Sequence, residues 1–207
     1  MFKGKKGIEE ICKSILKFKF SLHIYLIAVL VVIVSSYFGT IAAYILGKVA
    51  PSVWISSPRK ISTSVVSPVG EEIGWRGLLT PYLLQRLSIL QASVITGFIW
   101  ATWHLWYYVI PGAFHFNTPF WLLAIDCCGK SLWYTWFYRK SRSIFSAILF
   151  HFTGNLFYNI IPCAPSWFNG NIVPYAISSI IVLVSGLIII KYFKGADSEL
   201  RVARDFA

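Results

Sequence analysis

Residues 67–79 read SPVGEEIGWRGLL and set Glu71, Glu72 and Arg76 inside a run that is otherwise apolar or small. An ionised side chain at bilayer depth costs about 2.5 to 3.5 kcal/mol on insertion scales, so three so close together call for a reason. A helix through this stretch puts Glu72 and Arg76 four residues apart on one face, where they pair, and turns Glu71 about 100° away. One carboxylate is then neutralised and the other is left over to act as a base toward water. The same pattern also suits a structural ion pair whose neighbouring carboxylate is solvated in a cleft. The rest of the chain decides between them.

The 207 residues are 57% hydrophobic, 17% aromatic and only 13% charged, with a mean hydropathy of +0.65. Soluble domains carry about a quarter of charged residues, so the composition predicts an all-α, polytopic transmembrane bundle of the cell membrane. The net charge of +11 does not indicate nucleic acid, because the basic residues flank apolar runs at the chain ends and in short loops. Cys12, Cys127, Cys128 and Cys163 contain no CxxC pair, which argues against a zinc ribbon or a disulfide framework.

Six apolar segments are expected to span, at about 22–47, 63–85, 91–110, 119–138, 143–161 and 172–193. Residues 1–20 form a basic segment, an amphipathic helix on the anionic leaflet or a disordered tail, leading into a retained signal anchor. Residues 21–194 form the bundle, and 195–207 a cytoplasmic tail. With both termini in the cytoplasm, Arg86 and the basic turn Arg139–Arg142 lie inside and the uncharged loops outside. Lys48, Arg59 and Lys60 break the rule, which suggests that the 48–62 loop is partly buried or re-entrant. Ser67 and Pro68 look like an N-cap and first-turn proline, so the glutamate helix is expected to begin or kink there. Asp126 and Lys130, four apart, make a second pair with a mainly structural role.

His104 falls on the third span, and His151 and Asn155 lie one helical turn apart on the fifth. A bundle can bring such groups together near mid-depth. A single intramembrane histidine is commonly bonded to a neighbouring helix, but two of them beside the acidic stretch point to chemistry.

Taken in order, Glu71, Glu72 and Arg76, then Trp100 to His104, then His151 to Asn155 resemble the EExxxR, FxxxH and HxxxN motifs of the CPBP family of intramembrane proteases. That family takes in type II CAAX prenyl endopeptidases and bacteriocin-processing or immunity proteins. The resemblance covers about residues 63–193, and any one motif is weak where the ordered set is specific. Trp100 stands where the family has Phe, an exchange of aromatics expected to preserve packing. The region before the first motif is two spans shorter than in eight-span members, an even difference that keeps the orientation of the motifs.

The resemblance implies an endopeptidase acting on hydrophobic or lipidated peptides at the membrane, with lipids as its surroundings and no nucleic-acid partner. It implies Glu71 as general base, His104 positioning the water, His151 and Asn155 holding the oxyanion, and Glu72 with Arg76 fixing the geometry. Whether Zn²⁺ takes part stays open: Glu71, His104 and His151 form a possible His₂Glu set, but there is no HExxH helix. The short basic chain looks more like the bacterial branch, with peptide maturation or self-immunity as the association. Two other classes remain, a non-catalytic scaffold or immunity protein that keeps the fold, and a proton-coupled carrier. The carrier would favour an internal pseudo-symmetry that the sequence lacks.

Overall fold

The structure, a computed structural model, describes residues 4–46, 58–110, 115–116, 118–161 and 163–192. Residues 48–57 of the basic loop and the tail 195–207 lie outside the described residues. Among the described residues the chain is helical throughout, as the composition predicts. The helices are α1 (Gly4–Leu16), α2 (Leu22–Ile45), α3 (Pro58–Gly74), α4 (Thr80–Leu84), α5 (Ile89–Trp103), α6 (Phe120–Ser141), α7 (Ile144–Ile160) and α8 (Val173–Tyr192). Two of the expected spans change helix type on the way. A π-helical turn, Trp75–Leu79, joins α3 to α4, and a 3₁₀ turn, His104–Val109, continues α5.

Helix α2 shows the apolar outer surface of the bundle. Leu22, Leu26, Leu30, Val34, Phe38, Ile41 and Ile45 are exposed, whereas Ala28, Ser35, Ser36 and Thr40 are buried. The outward face is large and apolar, and the buried face mixes small or hydroxylated residues with Ile24 and Val32; lipid favours such an outer surface because it offers no hydrophobic drive to bury it. Leu22–Ala42 and Val173–Lys191 are long and apolar enough to cross a membrane, and the apolar stretch Ile144–Tyr158 is shorter.

Helix α6 is the centre. It packs against α5, α7 and α8, and its buried face runs from Leu122 to Phe137. Close approach depends on missing side chains: a Cβ on Gly97 of α5 would lie 2.6 Å from the Cα of Cys128, and one on Gly129 would lie 2.8 Å from the Cα of Leu183 in α8. Hydroxyl clasps hold the same seams, with Ser93 donating to Thr135 at 2.8 Å and the Trp133 indole donating to Ser185 at 3.1 Å. The Asp126–Lys130 pair forms as expected, at 2.5 Å. It reaches beyond its own helix, because Tyr175 of α8 donates to Asp126 at 2.8 Å and Lys130 lies 4.4 Å from the Tyr158 ring of α7.

Basic α1 is fastened to the basic turn between α6 and α7. Arg142 takes the left-handed conformation there (φ 53°), and the Ser143 hydroxyl lies 3.1 Å from the Ser14 carbonyl and 2.5 Å from that of Lys17. The Ser14 hydroxyl in turn accepts from the Ile144 amide at 3.0 Å. Both cationic segments therefore share one end of the bundle.

Gly129→Val should destabilise the protein by about 1–3 kcal/mol through backbone overpacking, seen as a lower unfolding temperature in detergent micelles. Gly70→Ala, where a Cβ meets nothing within 4 Å, should be neutral or stabilising by up to about 1 kcal/mol in the same assay.

Candidate active site

The expected N-cap at Ser67 does not form. Helix α3 runs from Pro58 through Pro68, and Arg59 and Lys60, expected in a loop, belong to its first turn. Ser67 instead spends its hydroxyl one turn onward, donating to Oε1 of Glu71 at 2.6 Å. Glu71 itself is half-buried.

Glu72 and Arg76 pair as their spacing predicts, with Nη1 of Arg76 3.0 and 3.2 Å from the two carboxylate oxygens and both side chains fully buried. Arg76 is the second residue of the π-helical turn, in which the Thr80 amide reaches back five residues to the Trp75 carbonyl. The next residue, Pro81, has no amide hydrogen to return to the Gly77 carbonyl, which loosens the ladder at this point. Such widened turns are frequent at functional sites.

The guanidinium is held from a second helix. Nη2 of Arg76 donates to Ser131 of α6 at 2.9 Å, and the guanidinium carbon lies 3.8 Å from the centre of the Tyr134 ring. Helix α7, packed on α3, brings Nδ1 of His151 to 2.8 Å from Oε1 of Glu72. Glu72 thus orients an imidazole as well as neutralising an arginine.

His104 sits where α5 gives way to the 3₁₀ turn, and its Nδ1 lies 2.8 Å from the Trp100 carbonyl oxygen. A carbonyl only accepts, so the proton is on Nδ1 and Nε2 is left as the acceptor of the neutral ring. His151 follows the same logic at Glu72: its Nε2 accepts when the ring is neutral and donates when it is protonated. Asn155 stands one turn beyond His151 on α7 and is half-buried.

Trp100 joins these parts together. The exchange for Phe does more than preserve packing, because the indole N–H donates to Oε2 of Glu71 at 2.7 Å. The ring centre lies 5.4 Å from those of both His104 and His151 and 5.6 Å from that of Tyr134. Five of the six expected site residues, Glu71, Glu72, Arg76, His104 and His151, are therefore linked directly or through Trp100. Four further residues join the site with no motif to mark them: Ser67, Ser131, Tyr134 and His115, whose ring is 5.3 Å from that of His104. Ser67 was findable, since it lies one turn before Glu71; the other three meet the site only through tertiary packing.

A zinc ion on Glu71, His104 and His151 can be tested against the free atoms. Both imidazoles are oriented through Nδ1, as metal-ligating histidines commonly are. Glu71 accepts one hydrogen bond on each oxygen and keeps a second lone pair on each, and among the described residues no three His, Cys, Asp or Glu side chains group as a ligand set.

The structure thus sets a half-buried carboxylate beside two oriented imidazoles within an all-helical bundle of apolar outer surface. Residues 53–157, just over half of the chain, match the model of the type II CAAX prenyl endopeptidase Rce1-like family, and the chain belongs to it. It is also 33% identical over 93 residues to CAAX prenyl protease 2 of Methanococcus maripaludis, a match that covers 42% of this chain and 34% of that protein. The chain thus matches about a third of the length of that curated relative.

Arg76→Ala should cost about 3–5 kcal/mol of stability, because it strands a buried Glu72 charge. Ser131→Ala, which removes one acceptor from the guanidinium, should cost about 1–3 kcal/mol. Thermal unfolding of the purified variants in micelles reads both.

Proposed function

We propose that the protein is an intramembrane endopeptidase that hydrolyses peptide bonds of membrane-associated, hydrophobic or lipidated substrates with a water activated by Glu71. The observation that carries this reading is the Glu71 carboxylate, half-buried and held on both oxygens, in electrostatic reach of His104 and His151.

In this reaction Glu71 takes a proton from water as the oxygen attacks the scissile carbonyl carbon, and Nε2 of His104 accepts a hydrogen bond that aligns the same water. The carbonyl π electrons move onto oxygen, where His151 and the Asn155 amide stabilise the oxyanion. Collapse of the tetrahedral intermediate breaks the C–N bond, and Glu71 returns its proton to the leaving amine. The proton that Glu71 carries to the leaving amine is the one it took from the water. Glu72 and Arg76 do not touch the substrate; they hold His151.

The setting proposed for this chemistry is a multi-pass protein of the cell membrane with six spans and both termini cytoplasmic. It rests on the exposed apolar faces and on the shared end of α1 and the 139–142 turn. Peptide maturation or self-immunity is the proposed context, and the relative's name supplies the prenylated CAAX peptide as the first substrate to try.

Reconstituted in liposomes, the wild type should cut an internally quenched, farnesylated CAAX peptide. Glu71→Gln should insert normally and lose at least about 10²-fold in rate, the size expected for a general base. Wild-type turnover by Glu71→Gln would end that assignment, and retained protection of a host by this variant would favour the non-catalytic immunity reading. Exhaustive chelation decides the metal: loss of cleavage that added zinc restores would make Glu71, His104 and His151 its ligands, and unchanged cleavage would leave the reaction to the side chains alone.

A further inference from the structure

Glu71 receives two hydrogen bonds, and the one from Trp100 is of a kind that the family's usual residue cannot make. Indole Nε1–H is a donor only, so the direction of the 2.7 Å contact to Oε2 is unambiguous. A phenylalanine at this position would fill much of the same volume and present no donor. The sequence thus carries, at one position of its second motif, a group able to act on the base of its first.

The donor is also aimed. Trp100 is only 4% exposed, and its ring meets His104, His151 and Tyr134 edge to face at interplanar angles of 65°, 74° and 84°. The Arg76 guanidinium lies 5.6 Å from the ring centre. With neighbours from the π turn, α6, α7 and its own helix end, the indole has no room to swing, and its N–H holds one oxygen of Glu71 while Ser67 holds the other. The carboxylate plane is thereby fixed, yet each oxygen keeps a second lone pair for water. The backbone of the same residue accepts the Nδ1 proton of His104 at 2.8 Å, so one residue sets the base and the imidazole beside it in a common frame.

We infer that Trp100 is a positioning residue of the hydrolysis, acting through its indole N–H on Glu71; this rests on Glu71 being the general base. Its contribution falls on the chemical step, because the carboxylate must face the water at the moment of proton transfer, and not on the hold of the substrate.

Two replacements separate the donor from the ring. Trp100→Phe removes the N–H and part of the volume, whereas genetically encoded 3-benzothienylalanine at position 100 keeps the bicyclic shape and replaces N–H with sulfur. With the quenched farnesylated peptide in liposomes, both should lower kcat about 10- to 100-fold, the loss expected for a hydrogen bond to a charged group, with KM within about twofold and an unchanged unfolding temperature for the benzothienyl protein. Wild-type kcat in the benzothienyl protein overturns the inference, and would assign any Trp100→Phe loss to packing. A substrate-free measurement checks the contact itself. In a ¹⁵N–¹H spectrum of the indole groups in micelles, the signal missing from Trp100→Phe should move upfield in Glu71→Gln, which offers a weaker, neutral acceptor; an unmoved signal overturns the inference. A wild-type protein that leaves the peptide uncut sinks the hydrolase reading and the positioning role together, while the indole signal still reports whether the bond exists.

Discussion

The buried charge pair of Glu72 and Arg76 is the constraint on which the site depends. Two ions taken out of water are not stabilising in themselves, and their attraction offsets the desolvation only when the remaining donors and acceptors are also met. Here that requirement reaches across the bundle and is met in part: among the described residues Nε of Arg76 has no hydrogen-bond partner, and Oε2 of Glu72 has the guanidinium contact alone. The guanidinium takes Ser131 and Tyr134 from α6, and the carboxylate takes His151 from α7, so α3, α6 and α7 must lie in one register for the charges to be tolerated. That register delivers the imidazole to the side of Trp100, and Trp100 to Glu71. Electrostatic necessity in one place becomes precision in the next.

The same economy recurs at Asp126 and Lys130, a second pair on α6 that draws Tyr175 from α8 and Tyr158 from α7 toward it. The two pairs lie on one central helix or against it. Between them the helix surfaces are small or hydroxylated, which lets backbones approach where apolar solvent supplies no drive toward compactness. Gly97 and Gly129 mark two such approaches, where even a methyl group would meet a neighbouring backbone. The large apolar side chains are left to face outward along α2, α5 and α8.

Features governed by neighbours along one helix were legible from the chain. Composition and periodicity disclosed an all-helical membrane protein, spacing of four disclosed both ion pairs, and the ordered motifs disclosed the family and the residues to watch. Three local readings went astray. Ser67 and Pro68 look like a helix start, but the packing of α3 on α7 carries the helix through them, and Ser67 bonds a carboxylate one turn ahead. The extended second and third spans gave no sign of a π turn or a 3₁₀ turn, because both keep the hydrophobic character of their surroundings. Trp100 was read by its ring alone.

What the sequence by itself determined is therefore the inventory: which groups can carry charge, which can donate, and which of them share a helical face, since these follow from covalent chemistry and a 3.6-residue period. Only the tertiary structure decided who meets whom. Glu72 and His151 are 79 residues apart and Trp100 is 29 from Glu71, so no local period relates them. Their contacts exist because buried charges must find partners and glycine-lined helices can come close enough to provide them.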